Sequence, residues 1–528
     1  MSTHVSHNDH SETYGPGTYV DRTFSPLPEE CKRILRLFAK RTPGFTTQEA
    51  LLDGVKFKGE DLPCIPGPIK SHFGLEILHL RGITDSTTTL VDTKHAGLYP
   101  ATPALVHIDG QTGPAVIKMP TVPQWDKDRQ SGSSLVFRST AIYETADEGT
   151  WFQLHGSLDS WKMLALIGIS KDLDTEIRTD DAAYDLIQQR VRTFRAQEIE
   201  QLMLQNGLSG SIVHSPAGWL KTEMGKSLAR HSLVDYTRQS AYLDLPPTPF
   251  PALDDKRPLA GVKVVELTRI IAGAAAGAAL ASMAFLSDGG KTTIDLDLDD
   301  PADHSKLITL FEQADVILQG YRLGSLKRRG FGIVYVDENS YGPDGYYAER
   351  PGWQQIADAA AGSSYIMGQA FGYLPGQGVL PSLPISDMST GILTALTIMC
   401  AIRDRAKFGG SYHGHAALTG YNMATLDPEV RLYQRETVNR IQEKYQFPSW
   451  SSDIHVAPLY YQNLKAWGMS SDLIENEKYY VHFSNSIFGD DLRVLAPMIR
   501  YEDEETIPRW TTPPVPFCHN EYRAFSNV

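Results

Sequence analysis

Hydrophobic and polar positions along this chain repeat with two different periods, and the points of change outline its organisation. In EECKRILRLFAKR the apolar residues Ile34, Leu35, Leu37 and Phe38 make one stripe, which predicts an amphipathic helix. The chain is loop-like between Pro43 and Pro68, and a helical pattern returns from Ile69 to Ile83. A mixed region follows, through TLVDTKH (Thr89 to His95) and the turn-rich YPATPALVHIDGQTGP. From about Ser139 the pattern sharpens. STAIYETADEGTWFQLHGSL predicts strand, turn and strand, with Asp147, Glu148 and Gly149 as the turn. A helix-rich run from Ala182 to Asn206 comes next, with Gln, Arg and Glu on its outer face.

Four prolines between Pro246 and Pro251 interrupt these patterns and predict a linker over residues 246–256. Beyond it the pattern becomes a regular alternation. Val262 to Leu267 reads as a short buried strand, Ala272 to Met283 as a small-residue helix, and Thr292 to Leu298 as a strand. Pro301 to Gln313 reads as a helix, Asp315 to Leu318 as a strand, Thr390 to Arg403 as a helix, and Ser411 onward as a strand. Strands alternating with helices predict parallel βαβ units and an α/β fold. The first residues, 1–27, read as a solvated tail rich in Ser, His, Thr and Gly.

Composition narrows the function classes. A chain of 528 residues is too long for one ordinary core, and 41% hydrophobic with 21% charged residues is the balance of a folded soluble protein. The net charge of -14 argues against nucleic acid, since phosphate neutralisation needs concentrated Lys and Arg; Lys327, Arg328 and Arg329 form only a short, isolated run. Ile270 to Leu286 is uncharged but mostly Ala and Gly, below the roughly 20 strongly apolar residues of a membrane span. It predicts a close-packed core helix. The four cysteines are scattered, without a Cys-x-x-Cys pair, which fits a reducing compartment. The polar start MSTHVSHNDH and the ending AFSNV match no simple targeting signal, so the expected location is cytoplasmic.

Several motifs invite chemistry. Gly289, Gly290, Lys291 and Thr292 suggest a phosphate loop, but Phe285 stands where the early Gly is needed and a strand-like stretch follows. Gly273 and Gly277 lie where a strand gives way to a helix, the place where a helix N-terminus meets phosphate; they serve equally well to let the helix press on a sheet. His413 and His415 alternate on one strand face, yet two ligands do not make a metal site and no carboxylate or cysteine lies at ligand spacing. They are expected to be surface histidines, with no metal. Asp387 immediately precedes a strong helix. There the free N–H groups and dipole would hold it ionised, and an ordinary N-cap is the plain alternative.

Four ordered segments give Asp387 its context: RPLAGVKVVELTRIIAGAAAGAALASM, then GKTTIDLDLDDPADHSKLITLFEQADVILQGYRLGSLKRRGFG, then SYGPDGYYAERPGWQQIADAAAGSSYIMG, and LPISDMSTGILTALTIMCAIRDRAKFGG. Together they resemble the class III CoA-transferases, a family that includes formyl-CoA:oxalate and carnitine CoA-transferases and the α-methylacyl-CoA racemases. The resemblance covers roughly residues 257 to 415.

The resemblance implies a class III CoA-transferase fold, with a parallel-sheet large domain and a smaller mixed domain. It also implies a function: transfer of CoA from an acyl-CoA to a carboxylic acid. Asp387 matches the carboxylate that attacks the thioester, giving a mixed anhydride and then an aspartyl-CoA thioester. Arg269 and Ile270 match the first βα turn against CoA, and Lys291, Tyr321 and Arg328 match positions lining the CoA groove. Coenzyme A thioester enters as substrate, no permanent cofactor is expected, and the partners are acyl-CoA and an organic acid. The racemases pair the same Asp with a His that follows a Gly; here Trp353 follows Gly352, which favours transfer over racemisation. After Met283 the family's second strand is missing, which keeps a non-catalytic remnant as a further alternative.

PGPIKSHFGLEILHLRGI parallels LPISDMSTGILTALTIM, with Ser71 at the place of Asp387, so residues 28–245 read as a degenerate first copy and 257–528 as the second. The family's chains interlock as homodimers. A tandem copy implies either a monomeric pseudo-dimer or a homodimer.

Overall fold

The computed structural model describes residues 14–44, 52–70, 88–122, 132–157, 159–250, 255, 257–268, 270–283, 291–321, 333–346, 348–502, 504–516 and 518–525. Helix α1 (Leu27–Arg41) buries its apolar stripe through Ile34, Leu35 and Phe38. Glu29 and Glu30 lie in its first turn and Lys40 and Arg41 in its last, each complementing the dipole. Strands β1 (Val55–Lys58) and β2 (Thr89–Asp92) pair in parallel, and β3 (His107–Ile108) with β4 (Gln111–Thr112) form a short hairpin. The hairpin expected after Ser139 is β5 (Ile142–Glu144) and β6 (Trp151–His155), extended by β7 (Ser209–Ile212) into an antiparallel sheet. Helices α2 (Asp180–Val191) and α3 (Ala196–Gln205) bury Ile187, Val191, Ile199 and Met203 against it.

Strand β8 (Asp235–Arg238) precedes the proline-rich stretch, and the regular alternation follows it: β9 (Val264–Leu267), α4 (Ile271–Ser282), α5 (Pro301–Gln313), β10 (Val316–Gln319), β11 (Val334–Asn339), α6 (Gln354–Ala360), α7 (Ile385–Phe408) and β12 (Tyr412–Ala417). The C-terminal region adds β13 (Tyr480–Ser484), β14 (Asp491–Leu495) and β15 (Ile499–Tyr501).

The central sheet runs β8-β12-β11-β10-β9, with β9 to β12 parallel and β8 antiparallel at one edge. Successive residues of a strand point to opposite faces. Val334 and Val336 of β11 therefore face α4 and α7 in one core, with Ile392, Ala395 and Ile398. Tyr335 faces the other side, with Ile317, Phe311 and Leu310. Helix α7 is long and apolar enough to cross a membrane by composition, but 94% of its most apolar window is buried inside the protein. Its Gly391 makes the tight packing on α4 feasible: a Cβ there would lie 2.5 Å from the carbonyl oxygen of Ala272. The small-residue helix of the sequence is thus a core helix.

Among the described residues, three of the four sheets take strands from both sides of residues 246–256: β8 joins β12, β2 joins β15, and β3 joins β14. The described start of the proline-rich stretch lies along the end of α7, where Thr248 N–H donates to the Arg405 carbonyl at 3.3 Å and, just before it, the Leu245 carbonyl accepts from Gly410 N–H at 3.0 Å. Within the stretch expected as a tail, Tyr14 is fully buried and Asp21 pairs with the buried Lys70 at 2.6 Å.

Two further expectations meet the structure differently. Residues 292–298 form no strand. Ile294 and Leu296 pack onto the core beside α5, as their alternation requires, while the polar groups of Thr293 are taken by the C-terminal segment: Thr293 Oγ1 donates to the Pro516 carbonyl at 2.6 Å, and Asn520 N–H to the Thr293 carbonyl at 2.9 Å. Most of the helix expected from Ile69 to Ile83, with Ser71, lies outside the described residues. Among the described residues β9 is an edge strand.

Candidate active site

Asp387 lies in the first turn of α7, at the carboxyl end of the central sheet, where open α/β folds bind ligands. It is not the cap. Pro384 holds that position and makes no side-chain cap bond. The helix entry is instead fixed by α6. Gln354 Oε1 accepts the Asp387 N–H at 3.2 Å, while Gln354 Nε2 donates to the Leu383 carbonyl at 2.8 Å. One turn further along α6, Asp358 Oδ1 accepts from Ser386 Oγ at 2.5 Å and from Asn422 Nδ2 at 2.9 Å. Gln354 and Asp358 stand four residues apart, so both reach the start of α7 from the same face of α6.

The electrostatics reverse one expectation. The Asp387 carboxyl is half-buried, and no hydrogen-bond donor among the described residues reaches it. Burial raises its pKa well above the usual carboxylate range, and the neighbouring Glu338 and Asp358 raise it further. A helix terminus contributes about 0.3–1 kcal/mol at an exposed site, whereas desolvation can move a carboxyl by several pH units at roughly 1.4 kcal/mol each. Burial and like charge win here. Glu338, near the end of β11, is itself buried and pushed up to about 7 by desolvation. Asp358 is pushed up to about 6 by burial, against the lowering effect of Ser386, Asn422 and Gln354. Asp387 thus feels like charge from two carboxyls that are themselves raised by their own burial.

The expected CoA residues fall into three sets. Arg269 and Arg328 lie outside the described residues. Ile270 and Tyr321 are both exposed, at the ends of β9 and β10 respectively. Ile270 has φ of 50°, a left-handed conformation that a β-branched residue adopts only under constraint from its surroundings. Tyr321 N–H donates to Gln319 Oε1 at 2.8 Å. Between these two turns, a Cβ at Gly320 would lie 3.3 Å from Glu338 Oε2 and 3.8 Å from Thr268 Cα. Glu338 thus connects the rim of this crevice to Asp387. Lys291 is differently engaged: its Nζ pairs with Glu266 at 2.8 Å and donates to the Ala274 carbonyl at 2.9 Å. Gly277 leaves room for that pair, since a Cβ there would lie 1.7 Å from Glu266 Oε2. At Gly277 the close-packing role is evident.

Sequence reasoning missed Glu338, Asp358, Gln354 and His155. The i,i+4 spacing of Gln354 and Asp358, beside the family-like PGW segment, was a readable signal. His155 had none: it arrives from β6 and stacks on Trp353 with ring centroids 4.8 Å apart, its Nε2 3.2 Å from Gln355 Oε1. Burial lowers its pKa to about 4, so at neutral pH the imidazole is uncharged. His413 and His415 are not surface residues either; their side chains are 12% and 15% exposed and both face Asp337 of the adjacent strand.

The model of CoA-transferase family III matches residues 282–455, the segment that carries Glu338, Gln354, Asp358 and Asp387. An acyl-CoA transferase of Gibberella moniliformis (strain M3125 / FGSC 7600) is 68% identical over 98% of this chain and 99% of its own. The acetyl-coenzyme A transferase nodX of Hypoxylon pulicicidum is 29% identical over 78% of this chain and 76% of its own. A succinate–glutarate CoA-transferase of Agrobacterium fabrum (strain C58 / ATCC 33970) is 25% identical over 32% of this chain and 53% of its own. With a near full-length relative at that identity and the four ordered motifs around Asp387, the chain belongs to the class III CoA-transferase family.

Proposed function

We propose that this protein transfers CoA from an acyl-CoA to a carboxylic acid, with Asp387 as the nucleophile. The observation that carries this reading is a half-buried Asp387 whose carboxyl meets no hydrogen-bond donor among the described residues, at the first turn of a buried helix and at the sheet's carboxyl end. A carboxylate without donors is a stronger nucleophile than one held by several, and its backbone is fixed by Gln354. In its ionised form an Asp387 oxygen attacks the thioester carbonyl, the C–S bond breaks, and CoA thiolate leaves a mixed anhydride. The thiolate then attacks the aspartyl carbonyl, releasing the donor acid and leaving an aspartyl-CoA thioester. The acceptor carboxylate attacks that carbonyl, again expelling the thiolate, which takes the acceptor acyl group and restores Asp387.

In this reading Glu338 and Asp358 set when Asp387 ionises. As they ionise, their repulsion increases the basicity of Asp387. Ile270 and Tyr321, with Arg269 and Arg328, would line the CoA groove, and Tyr321 offers an exposed ring to the adenine or pantetheine. Lys291 would contribute to CoA only by leaving Glu266. The assembly in this reading is a monomeric pseudo-dimer or a homodimer, which light scattering would separate as a 58.5 kDa species or one of twice that mass. The same reading places the protein in the cytoplasm, which subcellular fractionation checks. Asp387→Asn is expected to lower kcat at least about 10³-fold, as loss of a covalent nucleophile does; unchanged transfer would overturn the proposal.

His155 favours one second reading. It supplies a neutral imidazole stacked on Trp353, the residue that stands where racemases carry their His. An acyl-CoA racemase would exchange the α-proton with deuterated solvent without any acceptor acid, whereas a transferase would not.

A further inference from the structure

On the face of the central sheet opposite α7, three potential metal ligands converge from two adjacent strands. His413 and His415 alternate on β12, and His415 stands in register with Asp337 of β11. The nitrogen of each imidazole and one carboxylate oxygen all lie within 4.8 Å of one another. His413 Nε2 is 2.6 Å and His415 Nδ1 3.6 Å from the same oxygen, Asp337 Oδ2.

The other oxygen is held from behind. Tyr335 Oη donates to Asp337 Oδ1 at 2.9 Å, and Gln319 Nε2 donates to it as well. Gln319 is in turn oriented by the Tyr321 N–H, which donates to its Oε1 at 2.8 Å. Hydrogen bonds that fix one carboxylate oxygen and present the other toward two imidazoles are the outer-shell pattern of metal-ligating carboxylates. Asp337 is also 1% exposed, so the carboxylate is a buried anion rather than one of many surface acids. Bonds of about 2.0–2.2 Å to a tetrahedral ion place ligand atoms roughly 3.3–3.5 Å apart. The His415 separation is already close to that, and the His413 nitrogen needs to retreat by less than 1 Å to admit an ion.

We propose that Asp337, His413 and His415 bind one divalent transition-metal ion, with two imidazole nitrogens, one carboxylate oxygen and an open fourth position. Two nitrogens and one oxygen suit zinc, cobalt, nickel or ferrous iron, and disfavour magnesium and calcium. The ion would clamp β11 to β12 on the face away from Asp387, so it is distinct from the acyl-transfer site and does not depend on the assignment of that site. Metal ligation requires both imidazoles in their unprotonated form, so affinity falls at acidic pH.

The test uses the full-length protein after chelation, titrated with Co²⁺ as a spectroscopic probe and with Zn²⁺ by calorimetry. One equivalent per chain is expected, with the visible absorption of four-coordinate cobalt. His415→Ala is expected to weaken binding at least about 100-fold and Tyr335→Phe about 10-fold, the range that outer-shell partners command. Zn²⁺ should raise the Tm of the natural protein and leave that of His415→Ala unchanged. Circular dichroism checks that each variant is folded, and His415→Gln serves if the alanine variant is not. Absence of stoichiometric binding, or equal binding by the folded His415 variants, would overturn the proposal and leave a proton-sharing His–Asp pair.

Discussion

Asp337 and Glu338 are consecutive residues of one strand, both buried carboxyls, and the structure drives them in opposite directions. On one face, Asp337 is subject to the same desolvation but meets His413, Gln319 and Tyr335, and its carboxyl ends below the usual range. On the other face, Glu338 points toward α7, is raised to about 7 by burial, and adds its influence to Asp387. Burial is common to both; the donors are not. A buried carboxyl is a charge where the fold provides partners and a proton carrier where it does not. The pleat of a single strand separates an anion site from a candidate reaction site.

The comparison can be broken most forcefully at Asp337. Asp337→Asn removes the charge that His413 shares and is expected to destabilise the fold by about 2–3 kcal/mol at pH 7, read from denaturant midpoints. Because its folded pKa is depressed, that contribution is present above the unfolded value and disappears as pH falls through the folded one. Glu338→Gln should act with the opposite sign. A pKa raised to about 7 means the folded state holds a proton that the unfolded chain has lost, so stability declines between about pH 4.5 and 7. The Gln variant is expected to gain about 1–2 kcal/mol at pH 8 and nothing at pH 4. Parallel pH-stability curves for the two variants would erase the distinction between the faces.

Smaller effects sharpen the site. If Glu338 raises the Asp387 pKa, Glu338→Gln moves the acidic limb of the kcat/KM profile down by roughly half to one pH unit. An unmoved limb would detach Glu338 from Asp387. At the rim, Tyr321→Ala is expected to raise KM for the acyl-CoA about 3–5-fold with kcat nearly unchanged, the signature of lost uniform binding.

Much of the central sheet was legible because each strand and helix carries its own period. Pro301 to Gln313 is the helix that was read, and the strands at 264–267, 316–319 and 412–417 fall where apolar runs end in turns. Residues 292–298 misled for a physical reason: alternation reports a buried face, and Ile294 and Leu296 do bury one, but a strand also needs a ladder, which the C-terminal segment provides only at Thr293. The sharing of sheets between the halves was not legible, since β8, β2 and β3 meet partners far away in the chain, as Arg238 meets Tyr412 and Thr89 meets Tyr501. At the site, Asp387 was readable from its motif, and its protonation was not. The helix end is local and suggests an ionised acid; Glu338 and Asp358 act through space. His415 and Asp337 illustrate the same limit, being 78 residues apart in the chain and directly opposed across β11 and β12.

In the proposed reaction Asp387 forms a covalent intermediate, which trapping can capture. The protein is incubated with an acyl-CoA in the presence of hydroxylamine or borohydride, digested, and mapped by mass spectrometry. A hydroxamate or reduced side chain at Asp387, absent without acyl-CoA and absent from Asp387→Asn, is the predicted result. Unmodified Asp387 in protein that binds acyl-CoA and turns it over would contradict the account.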